Sequence, residues 1–198
     1  MNALTHENLY SLEQYSRIRP EFRAQVIEHK KARRVGLGPN AALYFEDELT
    51  MKYQVQEMLR LERMFEAEAI QGELDVYNPL IPDGSNWKAT FMLEYQDVDE
   101  RRQALAQLIG IERAIWMRVE GHDKVRPIAN EDLERETADK TASVHFLRFE
   151  LSPAMVAAVK QGAAIYAGID HPAYQSECRI ADATRASLAD DLRSPEMQ

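Results

Sequence analysis

WKATFMLEYQDVDERRQALAQLIGIERAIWMRVE, from Trp87 to Glu120, is the stretch on which the fold turns. Its first part alternates: Trp87, Ala89, Phe91, Leu93 and Tyr95 share one face, as in a half-buried strand. DVDERRQALAQLIG follows with acidic residues in its first turn and a glycine at its end, which are the two ends of a helix. RAIWMRVE reads as a second strand. Beyond the charged loop GHDKVRPIANEDLERETADKT, ASVHFLRFEL supplies a third. SPAMVAAVKQG is a helix in which Ser152 caps, Pro153 fits the first position and Gly162 closes. AAIYAGI is a fourth strand and DHPAY a turn, and ADATRASLADDL is a final helix with Asp182 as its expected cap.

The order β-α-β-β-α-β is that of a split βαβ, or ferredoxin-like, unit: four antiparallel strands with two right-handed crossover helices on one face. A rearranged α+β sheet is the competing topology. The face without crossover helices must meet solvent, a partner or the N-terminal part of the chain. In that part, Pro20 suits the first position of a helix running through PEFRAQVIEHKKARR, which turns Phe22 and Val26 toward a core. Gly36, Gly38 and Pro39 end it in the turn VGLGPN. A long helix is expected to begin near Leu43 to Asp47 and to fade at Gly72, before the irregular linker YNPLIPDGSN. The expected class is therefore α+β. An N-terminal helical region over residues 1–75 packs its long helix on a ferredoxin-like region with a C-terminal helix over residues 86–198, and the two form one compact unit.

Composition narrows the function classes. The 198 residues suffice for a real core, and the net charge of −9 disfavours nucleic acid or an anionic membrane as a partner. No apolar run reaches the length of a membrane span, and MNALTHENLYSLEQYSRIRPE lacks the apolar centre of a signal peptide, which predicts a cytoplasmic protein. The lone Cys178 cannot form an internal disulfide or hold an iron–sulfur cluster, and an idle thiol is expected. Charge is uneven: Arg17, Arg19, Arg23, Lys30, Lys31, Arg33 and Arg34 cluster against only Glu21 and Glu28. A solvated helix face paired with acidic residues elsewhere is the simpler reading, and an anion site at Arg33 and Arg34 the other.

Within FEDELTMKYQVQEMLRLERMFEAEAI (Phe45–Ile70), Met51, Val55 and Met58 lie on one side, while Leu49, Tyr53 and Leu61 lie elsewhere. Burial against two neighbours follows. Between them runs a polar stripe of Glu46, Thr50, Gln54, Glu57 and Glu68. A buried carboxylate needs a cation, so Gln54 and Glu57 are expected to form a seam with Arg33 or Arg34 that fixes the angle between two helices. A solvated face and a ligand or metal site are the alternatives. Glu94 and His145 project from strands, and if Glu57 meets them the three could bind a divalent metal or act as acid and base. The ligand-binding candidates are thus Arg33, Arg34, Gln54, Glu57, Glu94 and His145. His6, His29, His122 and His171 form no evident set. No cofactor signature is present, and none is expected. VGLGP lacks the Rossmann and P-loop patterns, and the question of catalysis stays open.

ARRVGLGPNAALYFEDELTMKYQVQEMLRLER, YNPLIP, TFMLEY, DKTASVHFLRFEL and GIDHPAY together resemble a bacterial family, the domain-of-unknown-function family 3501. The likeness spans nearly the whole chain. The family carries no assigned activity. Its members are often encoded beside rubrerythrin-like and iron–sulfur oxidoreductase proteins, and the resemblance therefore implies an accessory role in redox or peroxide metabolism. Such a protein would be the partner and would own any electron-carrying cluster; pairing with a second copy of this chain is a further option. The leading expectation is a non-enzymatic accessory or interaction protein, and the alternative is a metal- or small-molecule-dependent enzyme using Glu57, Glu94 and His145.

Overall fold

The computed structural model describes residues 3–193. Helix α1 (Leu12–Lys31) starts at a capping box in which Ser11 accepts from the Gln14 amide while the Gln14 side chain accepts from the Ser11 amide. This cap starts the helix well before Pro20, so that proline lies inside it rather than at its first position. Pro20 is exposed there, where water can take the carbonyl its ring leaves unbonded.

The stretch after α1 corrects a second expectation. VGLGPN is not a turn between helices: it lies in a hairpin of β1 (Arg34–Gly36) and β2 (Ala41–Phe45). Leu43 and Phe45 are therefore strand residues in the core. Gly38 makes the hairpin possible, with φ of +80° and the Tyr174 hydroxyl 2.7 Å from where a Cβ would stand. Helix α2 (Glu48–Glu62) begins at Asp47, whose carboxylate accepts from the Thr50 amide at 2.9 Å. It ends at Arg63, which is left-handed, and α3 (Ala67–Tyr77) runs on past Gly72. The single long helix is thus two helices.

The remaining order is a 3-10 turn (Asn78–Leu80), β3 (Asn86–Leu93), α4 (Val98–Gln107), α5 (Ile111–Ala114), β4 (Ile115–Val119), β5 (Ile128–Ala129), β6 (Val144–Glu150), α6 (Pro153–Lys160), β7 (Ile165–His171), β8 (Tyr174–Arg179) and α7 (Asp182–Asp190). Ser152 caps α6 as expected. In α7 the cap is Ala181, and Asp182 instead pairs with Arg179. DHPAY is the turn of the β7–β8 hairpin, whose second strand the sequence reading lacks.

The fold is α+β, with two antiparallel sheets of order β1-β2-β3-β6-β5 and β4-β7-β8. The four expected strands do not share one sheet, which corrects the ferredoxin-like topology. β3 does pair with β6, Trp87 opposite Phe149, as the first and third strands of that unit should. Its other edge is taken by β2, Phe45 opposite Ala89, where the ferredoxin order would put the last strand. β4 and β7 therefore pair with each other, and β8 extends them.

One core cluster joins the sheets, with Leu43, Trp87, Phe91 and Phe149 from the larger and Ile115, Met117, Ile165 and Ile169 from the smaller. Helices α6 and α7 add Val156, Val159 and Leu188 to it. Helix α2 packs against two neighbours, as its apolar spacing predicts. Met51, Val55 and Leu59 meet Leu74 of α3, and Leu49 and Tyr53 meet Tyr15, Phe22 and Val26 of α1. Among the described residues no helix is long and apolar enough to cross a membrane.

Candidate functional site

The six polar residues chosen from sequence end in four separate places. Glu57 on α2 faces α1, where Arg19 donates to it twice, at 2.7 and 2.9 Å, and the Tyr15 hydroxyl once at 2.7 Å. Arg60 adds a bond at 3.3 Å. The paired Arg19 guanidinium pulls this carboxyl down to about 2. A seam between the two helices exists, but its cation is Arg19 rather than Arg33 or Arg34. Gln54 is half-buried and makes no side-chain hydrogen bond among the described residues, whereas Gln56 is fully buried and holds both backbone groups of Tyr10.

Arg34 of β1 donates to the Tyr44 hydroxyl and to Glu94, which also accepts from Tyr44. Burial would raise the Glu94 carboxyl, but the bonds from Tyr44 and Arg34 outweigh it and hold the group below the ordinary range. His145 of β6 is wholly buried. Its Nε2 lies 3.0 Å from the Ala142 carbonyl, which can only accept, so Nε2 carries the proton and Nδ1 accepts from Asn130. Burial lowers its pKa and keeps it neutral. Glu57, Glu94 and His145 therefore share no partner and form no common centre. No group of three or more His, Cys, Asp or Glu residues among the described ones is placed to hold a metal.

Arg33 belongs to a cluster that its neighbours in sequence do not announce. It is 2% exposed and donates to the carbonyls of Phe45 and Glu46, to Ser187 of α7, and to Asp191 at 2.6 Å. Asp47 lies 3.3 Å from its Nε and 2.5 Å from Nε2 of His29. His29, Arg33, Asp47, Ser187 and Asp191 line a cleft of about 300 Å³. Burial drives the Asp191 carboxyl up to about 6 despite Arg33 beside it. Both arginines are thus engaged by carboxylates, which leaves neither as an open anion receptor.

The larger opening lies on the outer face of the five-stranded sheet. A groove of about 620 Å³ runs between α3 with its following 3-10 turn and the strands β3 and β6, and the loop Glu131–Arg135 forms one wall. Val76, Leu80, Phe146 and Leu133 line it, and Val76 and Leu133 stay 62% and 56% exposed. Most of its charges are met at home. Arg148 donates to Glu131 at 2.7 and 2.8 Å, Arg135 grips Asp132 while stacking on Phe146, and Lys88 donates to the Pro79 carbonyl. Glu131 and Asp132 are accordingly held below their ordinary pKa by these arginines. The sequence did carry a signal for this face: Met92 and Phe146 interrupt the polar side of two alternating strands.

A family model described as a protein of unknown function, DUF3501, matches residues 3–192 of the chain. The chain belongs to the DUF3501 family. The crystal structure of a novel protein of unknown function from Burkholderia pseudomallei K96243 superposes on this DUF3501 chain with a TM-score of 0.92 at 50% identity. The match covers 97% of this chain and 100% of that one. No curated protein matches.

Proposed function

We propose that this DUF3501 protein is a non-enzymatic accessory protein that docks an apolar segment of another protein in the groove beside α3. The observation that carries this reading is the groove itself: an apolar trough on a sheet face, with Val76 and Leu133 exposed on its walls and Arg135–Asp132 and Arg148–Glu131 paired along its rim. A rim whose arginines already hold carboxylates favours an apolar occupant, and exposed aliphatic side chains flanking a trough are what such a segment covers. The partner class is the one the family resemblance implies, a rubrerythrin-like or iron–sulfur oxidoreductase protein in cytoplasmic redox or peroxide metabolism. The chain acts in this reading as one unit, with the groove as its contact surface.

Purified rubrerythrin-like and iron–sulfur oxidoreductase proteins of the same organism, titrated against the labelled chain at physiological salt, test the reading. Binding that weakens by about tenfold or more in the double variant Val76→Asp, Leu133→Asp supports it. Monomer or self-dimer alone, with every candidate present, overturns it.

A further inference from the structure

On the far side of the loop that walls the groove lies a second cavity, of about 460 Å³, between α5 and residues 127–136. Glu112 lines it. This carboxylate is 3% exposed, and only one of its oxygens is served: Oε1 accepts from Nε of Arg113 at 3.0 Å, while the buried Oε2 has no hydrogen-bond partner. A buried carboxylate oxygen left alone is costly, so a donor arriving there is strongly favoured.

The rest of the lining fixes the kind of donor. Glu131, Asp132, Glu134 and Glu136 join Glu112, against Arg113 and Arg135 in the lining and Arg148, which grips Glu131 from outside it. Both guanidinium groups are spent, Arg113 on Glu112 and Glu136, and Arg135 on Asp132. Asn130 is spent as well, since its Oδ1 accepts from the Phe146 amide and its Nδ2 donates to His145. Glu131, Asp132 and Glu136 are paired in turn, so what remains for a ligand is Oε2 of Glu112 and the carboxylate of Glu134, over an apolar wall of Pro127, Ala129 and Leu133. A metal does not fit, because no three of these groups converge as ligands. A cationic N–H donor on a slender apolar stem does, and a single unpartnered oxygen suits the compact ammonium better than the flat guanidinium fork.

Glu131, Asp132, Leu133 and Arg135 line this cavity and the groove alike. We infer that Glu112 and Glu134 form a cation subsite for the ammonium group of a lysine on the partner segment that fills the groove. The inference rests on the groove reading and names the chemistry of its occupant: apolar residues along the trough and a lysine reaching across the loop.

The test uses the full ¹⁵N-labelled chain with n-butylammonium chloride as the lysine side-chain probe, and n-butanol and butyrate as neutral and anionic controls. Saturable shifts of the Gly110, Glu112 and Glu136 amides with butylammonium alone are expected. Affinity should fall by about tenfold or more in Glu112→Gln. Glu134→Lys, at an exposed position of the same lining, should weaken the probe in the same sense by placing a competing ammonium there. It covers the case in which the Glu112→Gln variant, altered at a buried position, fails to fold. No saturable shift, or a wild-type response in a folded Glu112→Gln or in Glu134→Lys, overturns the subsite. A partner that binds wild type and Glu112→Gln alike removes the subsite and keeps the groove. Butylammonium bound through Glu112 with no partner in the groove removes the lysine assignment together with the docking reading.

Discussion

Glu57 and Asp191 show how burial and pairing can push two carboxyl groups in opposite directions. At Glu57 the donors prevail. Arg19, Tyr15 and Arg60 supply four hydrogen bonds, and the folded pKa falls from 4.5 to about 2. A depressed acid contributes stability that is fully present above its unfolded value and is lost as pH falls through the folded one. Glu57→Gln is therefore expected to cost about 1.5–3 kcal/mol at neutral pH in urea unfolding, with the difference from wild type shrinking as pH drops from 4.5 toward 2. At Asp191 burial prevails, and the folded pKa rises from 3.8 to about 6. Such a group favours the fold below 3.8 and loses that contribution as pH rises through 6. Asp191→Asn should remove this slope: the stability of wild type relative to the variant declines between pH 3.8 and 6 and is flat on either side. A difference that rises across that window would show the Arg33 charge, rather than desolvation, to be in control.

Two contacts decide how elements sit. Arg33 ties the end of α1 to the β2–α2 turn and to α7 through Phe45, Glu46, Ser187 and Asp191. Removing one partner of a buried ion pair strands the other, so Arg33→Met is expected to destabilise the protein by about 3–5 kcal/mol. Amide hydrogen exchange should locate the loss in α7, which has no strand ladder to hold it, ahead of β3 and β6. The smaller sheet depends on a close approach instead. Gly168 of β7 pairs with Trp116 of β4, and a Cβ there would lie 2.3 Å from the buried indole and 2.6 Å from the Ser176 carbonyl. Gly168→Ala should cost roughly 1–3 kcal/mol, read as a lowered midpoint in denaturant and a shifted near-ultraviolet signal from Trp116. An unchanged midpoint would mean that the sheet opens without penalty.

At the scale of the whole molecule, the two sheets and α6 and α7 share one core, while α1, α2 and α3 make two smaller clusters beside it. The groove opens where α3 and the larger sheet meet, and neither Val76 nor Leu133 belongs to any of these clusters. Val76→Asp with Leu133→Asp is therefore expected to leave unfolding stability within about 0.5 kcal/mol while changing what the surface binds. A large stability loss would mean that these side chains are structural. The adjoining acidic cavity sits on the same loop, so both surfaces move together if residues 131–135 shift.

Local chemistry written in the sequence held where it was short-range. The alternation of WKATFMLEY and VHFLRFE, the Ser152 cap with Pro153 behind it, and the two apolar sides of α2 all depend on neighbours within a few residues, and each has its counterpart in the fold. What failed depended on distant pairing. ALYF reads as the start of a helix until β3 offers it an edge, and that same edge, once taken by β2, sends β4 and β7 into a sheet of their own. Glu57 was legible as a buried carboxylate, but its cation was not, because α1 brings Arg19 to it across a contact that no spacing records. Glu112 gave no signal at all. The sequence by itself determined the α+β class and the faces of its elements, since strand and helix periods are properties of the local chain. Only the tertiary structure decided which strands share a sheet, which carboxylates find partners and which buried carboxylate oxygen is left without one, because each follows from competition among groups far apart in sequence for the same few places.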